Sequence, residues 1–291
     1  MSRIETRFAQ LKTADRKALI PFITAGDPSL ESTVPVMHAL VAAGADVIEL
    51  GVPFSDPMAD GPTIQRSSER ALARRAGLRF VLRAVQEFRR RDSDTPVVLM
   101  GYLNPIEIHG NARFAAEAVA AGVDGVLLVD LPPEESAELL EIFSGHGLDL
   151  IALASPTTTP DRMATLCARA RGYLYYVSFS GVTGAGHLNI EAAGRRLHAI
   201  RGQSTVPVVA GFGIKDANSA RAMSMEADGV VVGSALVEAL AGAADADQAC
   251  ARAADFLAPL RQALDADPPL GPAIDSRTGA SAEPDRESAR A

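Results

Sequence analysis

The sequence predicts an α/β protein, a TIM (β/α)8 barrel, with an extra N-terminal helix and a disordered C-terminal tail. Three observations carry this reading. Eight short apolar runs alternate with longer amphipathic segments along the chain. The runs are almost continuously apolar, which suits strands covered on both faces and therefore a parallel sheet. A turn pattern also recurs: Ala43-Gly44-Ala45-Asp46-Val47 is echoed by Ala121-Gly122-Val123-Asp124-Gly125 and, with the first glycine lost, by Glu226-Ala227-Asp228-Gly229. Each copy reads as a helix end, a turn and a strand start. Eight β–α units in a chain of 291 residues match one barrel. An open doubly wound sheet would want a glycine fingerprint after the first strand, and Thr24-Ala25-Gly26-Asp27-Pro28 lacks it.

The elements follow in order. Ser2 and Glu5 have the spacing of a capping box and open the extra helix. Strands are expected at residues 19–24, 47–50, 97–100, 125–129, 149–153, 174–177, 207–210 and 229–232. Helix-like stretches between them include 80–91, 111–121 and 218–225. The catalytic domain is expected to span residues 1–264. From 265 to 291 the composition shifts to Pro, Gly, Asp, Arg, Ser and Ala. Too little apolar surface is left there to offset the entropy of ordering, so a tail outside the fold is expected.

A net charge of −8 and a pI near 5.2 argue against nucleic acid or an anionic membrane as partners. An anionic ligand must then be held locally, by backbone N–H groups or helix ends. The start of the sequence lacks the apolar core of a signal peptide, and no apolar run approaches the roughly 20 residues that span a bilayer. Cys167 and Cys250 have no metal-type spacing, which fits idle thiols in a reducing cytoplasm. The five histidines are scattered without ligand spacing, so no metal is expected. A GxSxG elbow and a P-loop are both missing.

In a barrel the loops after the strands build the active site. Glu49 interrupts the second apolar run where it ends, and shares side-chain parity with Val47. An unpaired carboxylate there meets a desolvation cost that raises its pKa toward the range of a proton shuttle. Asp56 and Asp60 follow on a loop stiffened by Pro53, Pro57 and Pro62; taken alone, either is better explained as a turn former. Glycine-rich segments follow strands six, seven and eight: Gly181-Val182-Thr183-Gly184-Ala185-Gly186, Gly211-Phe212-Gly213 and Gly233-Ser234-Ala235. Such loops hold phosphate through backbone N–H groups and a helix N-terminus, with Ser234 adding a hydroxyl. The 181–186 segment has enough glycine to act as a closing lid.

The run from Glu49 to Pro57 (Glu49-Leu50-Gly51-Val52-Pro53-Phe54-Ser55-Asp56-Pro57), with Ala59-Asp60-Gly61-Pro62 after it, resembles the signature of the tryptophan synthase α-subunit family. The resemblance continues through Pro21-Phe22-Ile23-Thr24-Ala25-Gly26-Asp27-Pro28, Met100-Gly101-Tyr102-Leu103-Asn104-Pro105, Asp130-Leu131-Pro132-Pro133-Glu134-Glu135 and the three glycine segments, over roughly residues 1–264. It implies a lyase that splits indole-3-glycerol phosphate into indole and glyceraldehyde 3-phosphate by a retro-aldol reaction, without metal or organic cofactor in this chain. It further implies an αββα complex whose β subunit carries pyridoxal phosphate and receives indole through a tunnel.

By the same resemblance Glu49 is the general acid/base and Asp60 holds the indole N–H. Gly184, Gly213, Gly233 and Ser234 bind phosphate, with Phe212 nearby. Phe22, Met100, Leu127, Tyr175 and Thr183 line the indole pocket or order the lid, and Tyr102 joins that set. The 53–60 loop and the segments near Asn104 and Asp130 face the β subunit. Phe179 departs from the family pattern, standing where some members have Arg, which bears on lid contacts. Two other readings share these residues: a free-standing lyase that releases indole, and a non-catalytic barrel that binds phosphate. The second requires a degraded site, yet Glu49 and Asp60 are both in place.

Overall fold

The structure is a computed structural model that describes residues 1–177, 190–211 and 213–266. The described strands are β1 (Ala18–Thr24), β2 (Ile48–Gly51), β3 (Val97–Gly101), β4 (Gly125–Leu128), β5 (Asp149–Leu150), β6 (Ala152–Ala154), β7 (Leu174–Val177), β8 (Val208–Gly211) and β9 (Gly229–Val232). All pair in parallel, in the order β5-β4-β3-β2-β1-β9-β8-β7-β6. The two end strands, β5 and β6, are separated in sequence only by Ile151, whose N–H donates to the Val126 carbonyl at 2.8 Å. They form one barrel strand that pairs with β4 through its first half and β7 through its second. The uninterrupted strand expected at 149–153 is therefore broken at its middle, where it changes neighbours and closes the ring.

Strand parity divides the core in two. Ile20, Val98, Leu127, Tyr175, Val209 and Val231 point inward and fill the barrel, while Leu19, Ile48, Leu99, Val126, Leu174 and Val230 point outward under the helices. The helix α1 (Arg3–Thr13) begins with the expected capping box, in which Ser2 and Glu5 each accept from the other's backbone N–H. Ile4, Phe8 and Leu11 lie on one face of it and join the inward cluster. This helix closes the end of the barrel where the strands start, and the Phe8 ring meets Tyr173 at 5.9 Å between centroids.

The outer layer comprises α2 (Thr33–Ala42), α3 (Pro62–Ala73), α4 (Leu78–Phe88), α5 (Leu103–His109), α6 (Asn111–Ala121), α7 (Ala137–Gly145), α8 (Pro160–Arg169), α9 (Ile190–Arg201), α10 (Ala217–Ser224), α11 (Ser234–Leu240) and α12 (Ala246–Asp265). The helix expected over 80–91 starts earlier and stops at Phe88, where Arg89 to Arg91 turn toward β3. Residues 267–291, most of the expected tail, lie outside the described residues.

The recurring turn pattern has a shared mechanical role. Asp46, Asp124 and Asp228 each stand just before a strand, and each pairs twice with one residue at the start of the neighbouring strand. Their backbone N–H groups donate to the carbonyls of Leu19, Val97 and Val208 at 2.9, 2.9 and 2.8 Å. Their carboxylates accept from the N–H groups of those same residues at 2.9, 2.8 and 2.9 Å. An arginine closes each set: Arg261 on Asp46, Arg89 on Asp124 and Arg201 on Asp228. Gly44 and Gly122, both at positive φ, leave the space the first two arginines occupy. A Cβ would stand 2.6 Å from Arg261 Cγ at Gly44, and 2.7 Å from Arg89 Cγ at Gly122.

Candidate active site

Glu49 lies on the four-residue strand β2, and its parity sends the side chain into the barrel with Val47 while Ile48 and Leu50 face the helices. It is fully buried. Its Oε1 accepts from the Tyr173 hydroxyl at 2.7 Å, and its Oε2 has no partner among the described residues. Burial pushes the carboxyl up to about 7, against the opposing pull of the Tyr173 hydrogen bond. Near neutrality such a group both gives and takes a proton readily. The hydroxyls of Tyr173 and Tyr175 are raised well above the ordinary phenol range by burial and by the Glu49 charge, so both remain neutral donors. Gly211 makes room for one of them, since a Cβ there would collide with the Tyr175 hydroxyl and ring.

Asp60 sits at the end of the loop between β2 and α3, where Pro62 occupies the first turn of the helix and fixes where the loop must stop. The Tyr102 hydroxyl donates to Asp60 Oδ2 at 3.1 Å and accepts from the Ala59 N–H at 3.0 Å. Gln65 Nε2 donates to the Asp60 carbonyl at 2.8 Å. Burial raises the Asp60 carboxyl and the Tyr102 hydrogen bond partly offsets it. Asp60, Phe22, Met100 and Tyr102 line one small pocket at the strand ends. Leu127 and Tyr175 belong to the inward-facing packing beneath it. Phe22 connects its two sides: a Cβ at Gly51 would stand 2.6 Å from Phe22 Cζ, and one at Gly233 would stand 3.6 Å from Phe22 Cβ.

On the other side of Phe22, Gly233 is the N-cap of α11 and Ser234 its first residue, with no side chain capping the turn. The N–H groups of that first turn point out of the helix, as a phosphate site requires. Gly213 follows the adjacent strand, β8, at φ 77°, which favours glycine. Gly184, Thr183, Phe212 and Phe179 lie outside the described residues, as does the expected 181–186 lid. Among the described residues no group of three His, Cys, Asp or Glu side chains is placed to hold a metal ion.

Tyr173 is the site residue that the sequence reading passed over. Its position two residues before Tyr175, one step ahead of the expected strand, was the available signal, because period-2 parity puts both phenols on the same face.

The family model for the tryptophan synthase alpha chain matches residues 8–265. The tryptophan synthase alpha chain of Xanthomonas axonopodis pv. citri (strain 306) is 72% identical over 266 residues, covering 91% of this chain and 99% of that relative. Its counterpart in Xanthomonas campestris pv. campestris (strain B100) is 71% identical over 265 residues, covering 91% and 97%. Among solved structures, tryptophan synthase subunit alpha from Legionella pneumophila str. Paris aligns with a TM-score of 0.85 at 47% identity, covering 91% of this chain and 99% of that one. Tryptophan synthase from M. tuberculosis, in an aminoacrylate-bound form, gives 0.80 at 34% identity, covering 91% and 100%. A buried acid held at neutral pKa within a parallel barrel thus meets a sequence match over nearly the whole described chain: the protein belongs to the tryptophan synthase alpha chain family, the lyases that cleave indole-3-glycerol phosphate.

Proposed function

We propose that Glu49 carries the proton and Asp60 holds the indole in the retro-aldol cleavage of indole-3-glycerol phosphate, within a catalytic domain formed by residues 1–264. The single observation that supports this most is the Glu49 carboxyl, buried in the barrel with one oxygen unpartnered among the described residues and a pKa of about 7. Cleavage requires a proton on indole C3, giving the indolenine, and removal of the proton from the glycerol hydroxyl. As the hydroxyl oxygen becomes the aldehyde carbonyl, the C–C bond breaks and its electron pair returns to the ring, restoring indole. One proton enters and one leaves, so no net redox or cofactor chemistry is needed of this chain. Asp60 accepts from the indole N–H and stabilises the positive charge that develops on the ring. Gly213, Gly233 and Ser234, with Gly184 and Phe212, take the phosphate. Phe22, Met100, Tyr102, Leu127, Tyr175 and Thr183 shape the indole site.

The indole passes to a β subunit bearing pyridoxal phosphate, in an αββα assembly in the cytoplasm. The rim of the barrel supports such a partner. Met58 in the 53–60 loop is 92% exposed, an apolar side chain that a partner seated on this loop would cover. Hydrogen bonds tie the three segments into one surface: Tyr102 to Asp60, and the Leu103 N–H to Asp130 Oδ1 at 2.9 Å. Cleavage measured with the purified chain, alone and with a β subunit, tests the assembly. Strong activation by the partner is expected, and high turnover by the chain alone would point instead to a free-standing lyase.

A further inference from the structure

A cleft of about 670 Å³ lies between the start of α4 and the junction of α5 and α6, lined by Arg75, Arg79, Arg83, Arg113 and His109. In a chain of net charge −8 this concentration of guanidinium groups is a local feature, opposite in sign to the whole. Glu117 accepts from Arg113 Nε at 2.8 Å and meets His109 Nε2 at 2.8 Å. Among the described residues no carboxylate pairs with Arg75, Arg79 or Arg83. Arg75, Arg79 and Arg83 are exposed, so their guanidinium groups can fold over an anion seated in the cleft.

Arg75 adds a separate observation. Its φ is 64°, in the region that glycine favours. It follows the C-cap of α3, where its N–H donates to the Leu72 carbonyl at 2.8 Å and that of Ala76 to the Ala71 carbonyl at 3.0 Å. That is the closing pattern of a helix at which glycine is the usual residue. An arginine there is strained where glycine would not be, and it puts its side chain on the cleft. Gly77, which also lines the cleft, is the N-cap of the 11-residue α4, whose first turn no side chain caps. Phe80 and Ile108 contribute apolar surface beside the charges.

We propose that this cleft is a second anion site, separate from the reaction site, which binds a multiply phosphorylated small molecule. Guanidinium forks match phosphate oxygens two at a time, and several of them suit more than one phosphate group. The cleft volume falls within the range of small-ligand sites. The proposal stands independently of the roles given to Glu49 and Asp60.

Titration of tripolyphosphate into the full chain, at ionic strength held constant with sodium chloride, tests it. Saturable binding is expected, weakened at least ten-fold by Arg75→Gly and abolished by Arg79→Ala combined with Arg83→Ala. Arg75→Gly relieves the left-handed strain, so this variant keeps or gains thermal stability while binding tripolyphosphate more weakly, and both variants cleave indole-3-glycerol phosphate at the wild-type rate. Binding no stronger than the salt control overturns the proposal. So does undiminished binding in both variants, which assigns the ligand to the phosphate loops of the reaction site, and so does displacement by an added β subunit or acidic peptide, which makes the cleft a protein contact.

Discussion

Glu49 sits where two forces oppose each other: the barrel interior disfavours its charge, and the Tyr173 hydroxyl favours it. The balance has a consequence for stability. Below about pH 4.5 the carboxyl is protonated whether the chain is folded or not. Between 4.5 and 7 the unfolded chain loses this proton while the folded chain keeps it, so stability falls as pH rises, and above 7 the loss is complete. With a folded value of about 7 the full effect is about 3 kcal/mol. Glu49→Gln removes the ionisation, so its stability relative to wild type should rise by roughly that amount between pH 4.5 and pH 8, as read by urea unfolding; a constant difference across that range would count against the buried, neutral-prone carboxyl. Tyr173→Phe should move the Glu49 inflection in the pH–rate profile above 7, because the removed hydrogen bond favours the ionised form. An unmoved inflection would show that Tyr173 does not tune Glu49. Strand parity made the inward direction of Glu49 legible in the sequence. Its partner was not, because Tyr173 is 124 residues away and only barrel closure brings the two together.

At the scale of elements, the Asp–Arg clamps should differ in strength with burial. Asp124 and Arg89 are 4% and 11% exposed, whereas Asp228 and Arg201 are 31% and 35% exposed. Asp124→Ala removes the 2.7 Å carboxylate partner of the buried Arg89, which keeps Asp92 at 3.7 Å and backbone carbonyls, and is expected to cost roughly 3 kcal/mol. Asp228→Ala loses a pair open to water and is expected to cost about 1 kcal/mol. Equal losses in chemical denaturation would refute the burial argument. The turn repeat was visible in the sequence, but what its aspartates bind was not, since each carboxylate reaches across to a different strand. On the opposite face, Gly213→Val forces a β-branched residue to positive φ and blocks backbone approach to phosphate. KM for the substrate should rise with the barrel intact by circular dichroism, and an unchanged KM would remove Gly213 from the site. The glycine loops could be nominated for phosphate from the sequence because glycine and a following helix are local signals. The break at Ile151 could not, because it arises where the strand exchanges one neighbour for another.

For the whole molecule, alternation of apolar runs with amphipathic stretches was enough to place the barrel strands within a residue or two, since parallel strands buried on both faces leave a plain pattern. The proposed partner surface could be named only through the family resemblance, because nothing local marks Met58 as exposed. Met58→Asp puts a charge into the proposed β-subunit contact and should cut activation by the partner at least ten-fold, leaving turnover of the chain alone unchanged. Activation equal to wild type would move the partner elsewhere on the molecule. The central claim, that one buried carboxyl moves the proton, is tested most directly by single-turnover cleavage of indole-3-glycerol phosphate by the Glu49→Gln variant. The account predicts a rate lower by about 10²–10⁴-fold with affinity for the substrate phosphate retained; cleavage near the wild-type rate would contradict it.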